Sequence, residues 1–325
     1  VPIFDEPLKT VYHITVILVS LDNIRPGDNS KLSIALKADS SFADYIYVLK
    51  PRETSLIMII GACSALVAAA TLNGAFPVKD FILAMVAIAL GSAGANGLTN
   101  YLDRNVDTLM KRTCNRVLPA KRIEPPEKVL VLTLALIIAG LVIAWFLSLV
   151  CFFIGLIGVL ASAIWRKTIS CTFFGIIAGS APVLIGWYAI TKQPTIEIMP
   201  VFLFCMIACW TPTHVWTLML ANRGDYESAG LHYFPLSFKD TTVIKMLAVL
   251  SMALSIFAVM VYFLVGRFHW LYLSVSVVLS LIMIVANLRL LFNPTSGNAW
   301  TVYKLSAFPY LGIIFTVMAI DAWLI

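Results

Sequence analysis

The feature that most constrains this chain is the recurrence of apolar runs about as long as a bilayer is thick. A spanning helix needs about 20 mostly apolar residues, and such runs fall at 53–72, 78–100, 128–147, 149–165, 172–191, 197–220, 242–265, 268–291 and 299–323. They are apolar all round rather than along one stripe, as helices that face lipid require. The block 128–165 is too long for one crossing and divides at Ser148 to Cys151. With 60% of its 325 residues apolar and 12% charged, the chain cannot be a water-soluble domain that hides this surface in its own interior. The expectation is an all-α, polytopic membrane protein with nine transmembrane helices.

Orientation follows from the cations. With nine spans, the segments before 53 and around 101–127, 166–171, 221–241 and 292–298 share one side, and nearly every Lys and Arg lies there; Lys79, Lys192 and Arg267 do not. The positive-inside rule makes that side the cytoplasm, with the amino terminus inside and the carboxyl terminus outside. The formal charge of +6 therefore belongs to loops beside an anionic leaflet and to an anionic substrate. No soluble basic module exists, so nucleic acid is not an expected partner. Residues 1–44 read as an amino-terminal cytoplasmic or interfacial segment ahead of a transmembrane domain at 45–325, since VYHITVILVSL (11–21) is too short to span. Cys63, Cys114, Cys151, Cys171, Cys205 and Cys209 form no CxxC and are expected to pack, without disulfides or a metal-thiolate site.

Directly after the second run comes TNYLDRNVDTLMKR (99–112). If the helix continues into it, Asn96, Asn100, Asp103 and Asp107 are spaced by four, three and four and share one face. A solvated helix end is the plain alternative. Against it, Lys111, Arg112 and Arg116 lie just beyond the acids, so both signs meet at the membrane surface. Hard oxygen ligands recruit Mg²⁺, Mg²⁺ binds phosphate oxygens, and Arg or Lys neutralises the remaining charge. That combination suits a diphosphate.

A second patch ends the sixth run: THVWTLMLANRGDYESAGLHYFP (213–235), with Arg223, Asp225, Tyr226 and Glu227. Asp225 follows Asp103 by four spans, which hints at a duplicated bundle with a cavity between its halves. Two facing acidic clusters would hold Mg²⁺ around one diphosphate. An isoprenyl diphosphate fits, its tail in the bundle and its head at the charged rim; the carbocation left by ionisation needs a dry, aromatic-lined pocket. Tyr101, Trp210, Trp216 and Tyr226 are near enough in sequence to serve, with packing or interfacial anchoring as the alternative role. His214, within a span, reads from position alone as a buried histidine bonded to a neighbouring helix; His13, His232 and His269 look peripheral, although the loop of the second patch carries His232.

NYLDRNVDTLMKRTCNRVLP resembles the first aspartate-rich motif of the UbiA superfamily of intramembrane prenyltransferases, and the second patch is similar to that of the branch that farnesylates heme. YVLKPRETSLI (47–57), GSAPVLIGW (179–187) and KLSAFPYLGIIFTVMAID (304–321) support the resemblance, which covers 45–323. It implies a UbiA-like bundle of nine helices around a central cavity. By resemblance Asn100, Asp103 and Asp107, with Asp225 from the second motif, are the catalytic and Mg²⁺-binding positions, joined by Glu227 as a further metal ligand. Lys50, Arg52, Lys111, Arg112, Arg116 and Arg223 would meet the diphosphate, and His214, Trp216 and Tyr226 the heme. The implied substrates are farnesyl (or geranylgeranyl) diphosphate and heme b, with a heme A synthase as partner. The chain departs from the usual pattern at Thr99 and Asn105, which lowers the charge of the first patch; near Thr172 after WRKT (165–168); and at Tyr233. Two other classes stay open: a UbiA-type enzyme acting on a quinone precursor or lipid acceptor, and a transporter with paired acidic sites.

Overall fold

The computed structural model describes residues 40–325 apart from 73, 165–169, 194, 232, 267 and 325. The expectations for the segment before residue 40, His13, WRKT, His232 and Arg267 therefore lie outside the described residues. All regular structure among those described is helical. Its elements are α1 (Phe42–Val48), α2 (Pro51–Ala70), α3 (Val78–Asp107), α4 (Glu127–Leu147), α5 (Leu149–Ala163), α6 (Cys171–Thr191), α7 (Ile198–Ala221), α8 (Arg223–Ser228), α9 (Asp240–Val265), α10 (Trp270–Phe292), α11 (Ser296–Leu305) and α12 (Ile313–Asp321). A π-helical segment, Ser306–Gly312, joins α11 and α12 into one kinked rod around Pro309.

Eight of the expected spans are helices long and apolar enough to cross a membrane, counting α11 to α12 as one. The other, α5, has 15 residues, about 22 Å of helix, short of the roughly 30 Å hydrocarbon core. The split at Ser148 is sharp: this single residue is extended (φ −169°, ψ 156°) and its hydroxyl accepts from Cys151 N, capping α5. α3 runs past the apolar limit at 100 and on to Asp107, as the single face of Asn96, Asn100, Asp103 and Asp107 requires. Hydropathy marks where lipid ends; the backbone ladder carries on through polar residues as long as nothing interrupts it.

The helices close a ring. α3 packs along α4, α5 against α6, α6 against α7, α7 against α9, α9 against α10, and the kinked rod returns through α12 to α2. The tightest crossing joins α2 to α6, where a Cβ on Gly186 would collide with the Gly61 carbonyl. Only glycine allows those backbones to touch, which is how spanning helices gain contact without a hydrophobic driving force between them.

The face away from the acidic tips is closed by Asp321, fully buried at the end of α12. Its carboxylate accepts from the backbone N–H groups of His269 and Tyr272, and so caps α10, whose own flanking residues supply no side-chain cap. Replacing Asp321 with Ala strands two donors of a helix start, and we expect about 2 kcal/mol of lost stability. A melt of the purified protein in detergent checks this; an unchanged midpoint would show that solvent satisfies those donors.

Candidate active site

The last two turns of α3 carry Asp103 and Asp107, each 2% exposed, one helical turn apart. Carboxylates at a helix C-terminus oppose the macrodipole, so neither stabilises α3 by itself. Cations compensate: Arg116 Nη1 lies 2.9 Å from Asp107 Oδ2. Asn100, one turn back, donates from Nδ2 to the Val48 carbonyl at 2.6 Å, while its Oδ1 is buried without a hydrogen-bond partner. Asn96 Nδ2 donates to Thr54 Oγ1 at 3.0 Å, and Lys50 Nζ to Thr99 Oγ1 at 3.4 Å, tying α3 to the start of α2.

The two carboxylates, which line the chamber described below, fit Mg²⁺, a cation held by one or two carboxylates plus substrate phosphate and water; the orphaned Asn100 oxygen is a further hard donor on the same helix face, outside the chamber lining. Among the described residues no three His, Cys, Asp or Glu converge.

The second acidic patch meets the first directly. Asp225 Oδ1 accepts from Lys111 N at 2.6 Å and Oδ2 from Arg112 N at 3.2 Å. Its carboxylate thus holds the turn after α3 and does not line the chamber described below. Arg223 and Glu227 also stand aside: Arg223 bonds Glu227 Oε1 at 2.8 Å, Asp240 Oδ1 at 2.5 Å and the Leu236 carbonyl at 2.9 Å, fastening the link between α7 and α9. Arg52 and Lys111 are exposed outside the chamber. Arg112 does line it, with Nη2 donating to the Tyr226 hydroxyl at 3.3 Å. Burial pushes the Tyr226 phenol above the usual tyrosine range, so it stays protonated at neutral pH.

Below these tips lies a chamber of about 530 Å³, within the range of sites that bury a small molecule. Lys50, Asp103, Asp107, Arg112 and Arg116 stand at its polar end. Much of its wall is small: Gly91, Ala95, Gly155, Gly158, Gly175 and Gly179 from α3, α5 and α6. Opposite in character are His214 from α7 together with Tyr226, Tyr233 and Tyr303. The helix bearing His214 ends at Ala221, seven residues on, so the ring lies about 10 Å along α7 from that end.

Of the other aromatic candidates, Trp216 is buried outside the chamber, donating from Nε1 to Thr172 Oγ1 at 3.0 Å. Tyr101 stacks under Arg104, whose guanidinium is 4.1 Å from the ring centre. Trp210 packs behind His214. Sequence reasoning missed Glu53 and Tyr303 as lining residues, although YVLKPRETSLI contains the first and the second immediately precedes KLSAFPY.

Residues 57–310 match the UbiA prenyltransferase family. A protoheme IX farnesyltransferase of Desulforudis audaxviator (strain MP104C) is 31% identical over 288 residues, covering 86% of this chain and 88% of that protein. In backbone, the chain is similar to a solved structure from work on digeranylgeranylglyceryl phosphate synthase (TM-score 0.70, 17% identity, 86% of this chain and 98% of that one). It is also similar to a UbiA homolog from Archaeoglobus fulgidus bound to DMAPP and Mg²⁺ (TM-score 0.60, 16% identity, 85% and 99%).

Proposed function

The chain belongs to the UbiA prenyltransferase family, and from that premise we propose that it transfers a farnesyl group from farnesyl diphosphate to a vinyl group of heme b, yielding heme O and pyrophosphate. The observation that carries this reading is the meeting of two tips above one chamber: the α3 carboxylates and the turn held by Asp225, with His214 on the chamber wall. Kinship with the protoheme IX farnesyltransferase of Desulforudis audaxviator supports the acceptor.

Magnesium held by Asp103, Asp107 and the Asn100 amide oxygen would offset the charge of the departing diphosphate, a reading supported by the Mg²⁺ of the Archaeoglobus fulgidus homolog. Lys50, Arg112 and Arg116 meet the remaining phosphate charge from the same end of the chamber. The prenyl tail lies along the small-residue wall, away from water that would quench an allylic cation too early. Tyr226 and Tyr233, their rings edge to face at 5.6 Å, give the cation an electron-rich surface. The balance is simple. The allylic C–O bond breaks, the terminal vinyl carbon bonds to farnesyl C1, and water adds to the cation beside the porphyrin and releases one proton. No strong base is required. Asp225 is assigned the role of positioning residue, because it shapes the turn that presents Arg112.

The acidic end faces the cytoplasm by the positive-inside rule, where the charged diphosphate arrives, and a heme A synthase is the enzyme class that consumes the product. The test is direct: incubate the purified protein with Mg²⁺, farnesyl diphosphate and heme b, then weigh the porphyrin by mass spectrometry. We expect a gain of one farnesyl group plus one hydroxyl. Unmodified heme beside a prenylated quinone precursor would transfer the assignment to the other branch of the family.

A further inference from the structure

Heme contact by His214 leaves open which ring nitrogen is offered to the chamber, and the surroundings of the ring answer that. Nδ1 lies 2.8 Å from Ser306 Oγ. Ser306 is fully buried where α11 passes into the π-helical segment, and its hydroxyl already donates its one proton to the Tyr303 carbonyl at 2.9 Å. With that proton on the Tyr303 carbonyl, Oγ accepts from His214, an arrangement that puts the imidazole hydrogen on Nδ1. Nε2 is left as the basic nitrogen. Among the described residues no carboxylate pairs with His214, so a second proton would bury an uncompensated charge, and the ring stays neutral.

The ring is fixed as firmly as its tautomer. Trp210 and Tyr303 sandwich it, with centroids 4.8 Å and 4.5 Å away and interplanar angles of 14° and 27°. Trp210 Nε1 in turn donates to the Ser306 carbonyl at 2.5 Å, so the residue that orients the imidazole is itself anchored by the residue that stacks on it. The backbone leaves helical geometry just beyond Ser306, at Ala307 (φ −68°, ψ −132°), where the π-helical segment begins.

We propose that Ser306 is a positioning residue for the heme substrate: it locks His214 in the Nδ1–H tautomer and so presents the Nε2 lone pair as an axial ligand to heme iron. Metal-ligating histidines need an acceptor for their second nitrogen, and its loss typically weakens binding about 10- to 100-fold. Ligation would hold the macrocycle at a fixed place below the phosphate-binding end, which is what a vinyl group needs if it is to reach farnesyl C1. The inference rests on heme as acceptor.

Its test uses the full chain in detergent, titrated with ferric heme and followed by absorption and resonance Raman spectroscopy. Wild type and Ser306→Thr, which keeps the acceptor, are expected to share one nitrogen-ligated signature. Ser306→Ala should bind heme about 10- to 100-fold more weakly with an altered axial-ligand band, while all three proteins bind farnesyl diphosphate with Mg²⁺ equally well. Ser306→Ala matching wild type in both affinity and signature would overturn the proposal, as would a wild-type signature in His214→Ala. Heme binding absent from wild type itself would instead remove the acceptor reading on which the inference stands.

Discussion

Asp103→Asn is expected to reduce farnesyl transfer by about 10³-fold or more, the scale of removing one preorganised charge-stabilising group, while the affinity for heme stays within about twofold. Asp103 is buried to 2%, and the amide is its isostere, so the substitution alters charge with little change in shape. Asp107→Asn strips Arg116 of the carboxylate 2.9 Å away. The measurement pairs steady-state product formation with a heme titration on the same preparation. If heme binding falls in step with turnover, the carboxylate supports the fold of the α3 tip and the proposed metal site is wrong.

The second large effect concerns the wall of the chamber. A Cβ placed on Gly91 would have no atom within 4 Å, although Gly91 lines the cavity. A side chain at this position therefore grows into the space assigned to the prenyl tail. Gly91→Leu is expected to cut kcat/KM for farnesyl diphosphate by about 10²-fold, the upper end of what pocket shape alone discriminates. Geranyl and dimethylallyl diphosphate should be affected far less. Helix stability is no obstacle, since leucine is a better helix former than glycine by close to about 1 kcal/mol. Comparing the three donors, with heme binding as a control, decides the matter. An equal loss for every donor length would place the tail elsewhere, and a selective loss of heme binding would give this wall to the porphyrin.

The architecture was largely legible before any coordinates. Apolar length alone located the spans, and Ser148 divided the long block because it is the first polar residue that can cap a helix there. The i, i+3, i+4 pattern also put Asn96, Asn100, Asp103 and Asp107 on one face, since α3 does run through all four. What the chain conceals are pairings made at long range. Asp225 bonds backbone groups 113 and 114 positions away, so composition makes it resemble Asp103 while its hydrogen-bond partners are of another kind. Arg223 and Glu227 are likewise absorbed by local pairs with Asp240 and with each other. Tyr303 was missed for the same reason: it reaches the chamber only because the rod of α11 and α12 is bent, and a one-dimensional pattern does not say which way a kink turns.

Carriers expose their cargo to one compartment and then the other by rocking or sliding one repeat past its twin. In this molecule α2 and α6 open the two four-span repeats suggested by the sequence, and they meet backbone to backbone at Gly61 and Gly186, with no side chain between them to act as a bearing. The buried Ser64 hydroxyl, donating to the Val183 carbonyl at 2.7 Å, ties the same two helices a turn away. A seam fastened this closely favours a fixed frame to which the reactants come.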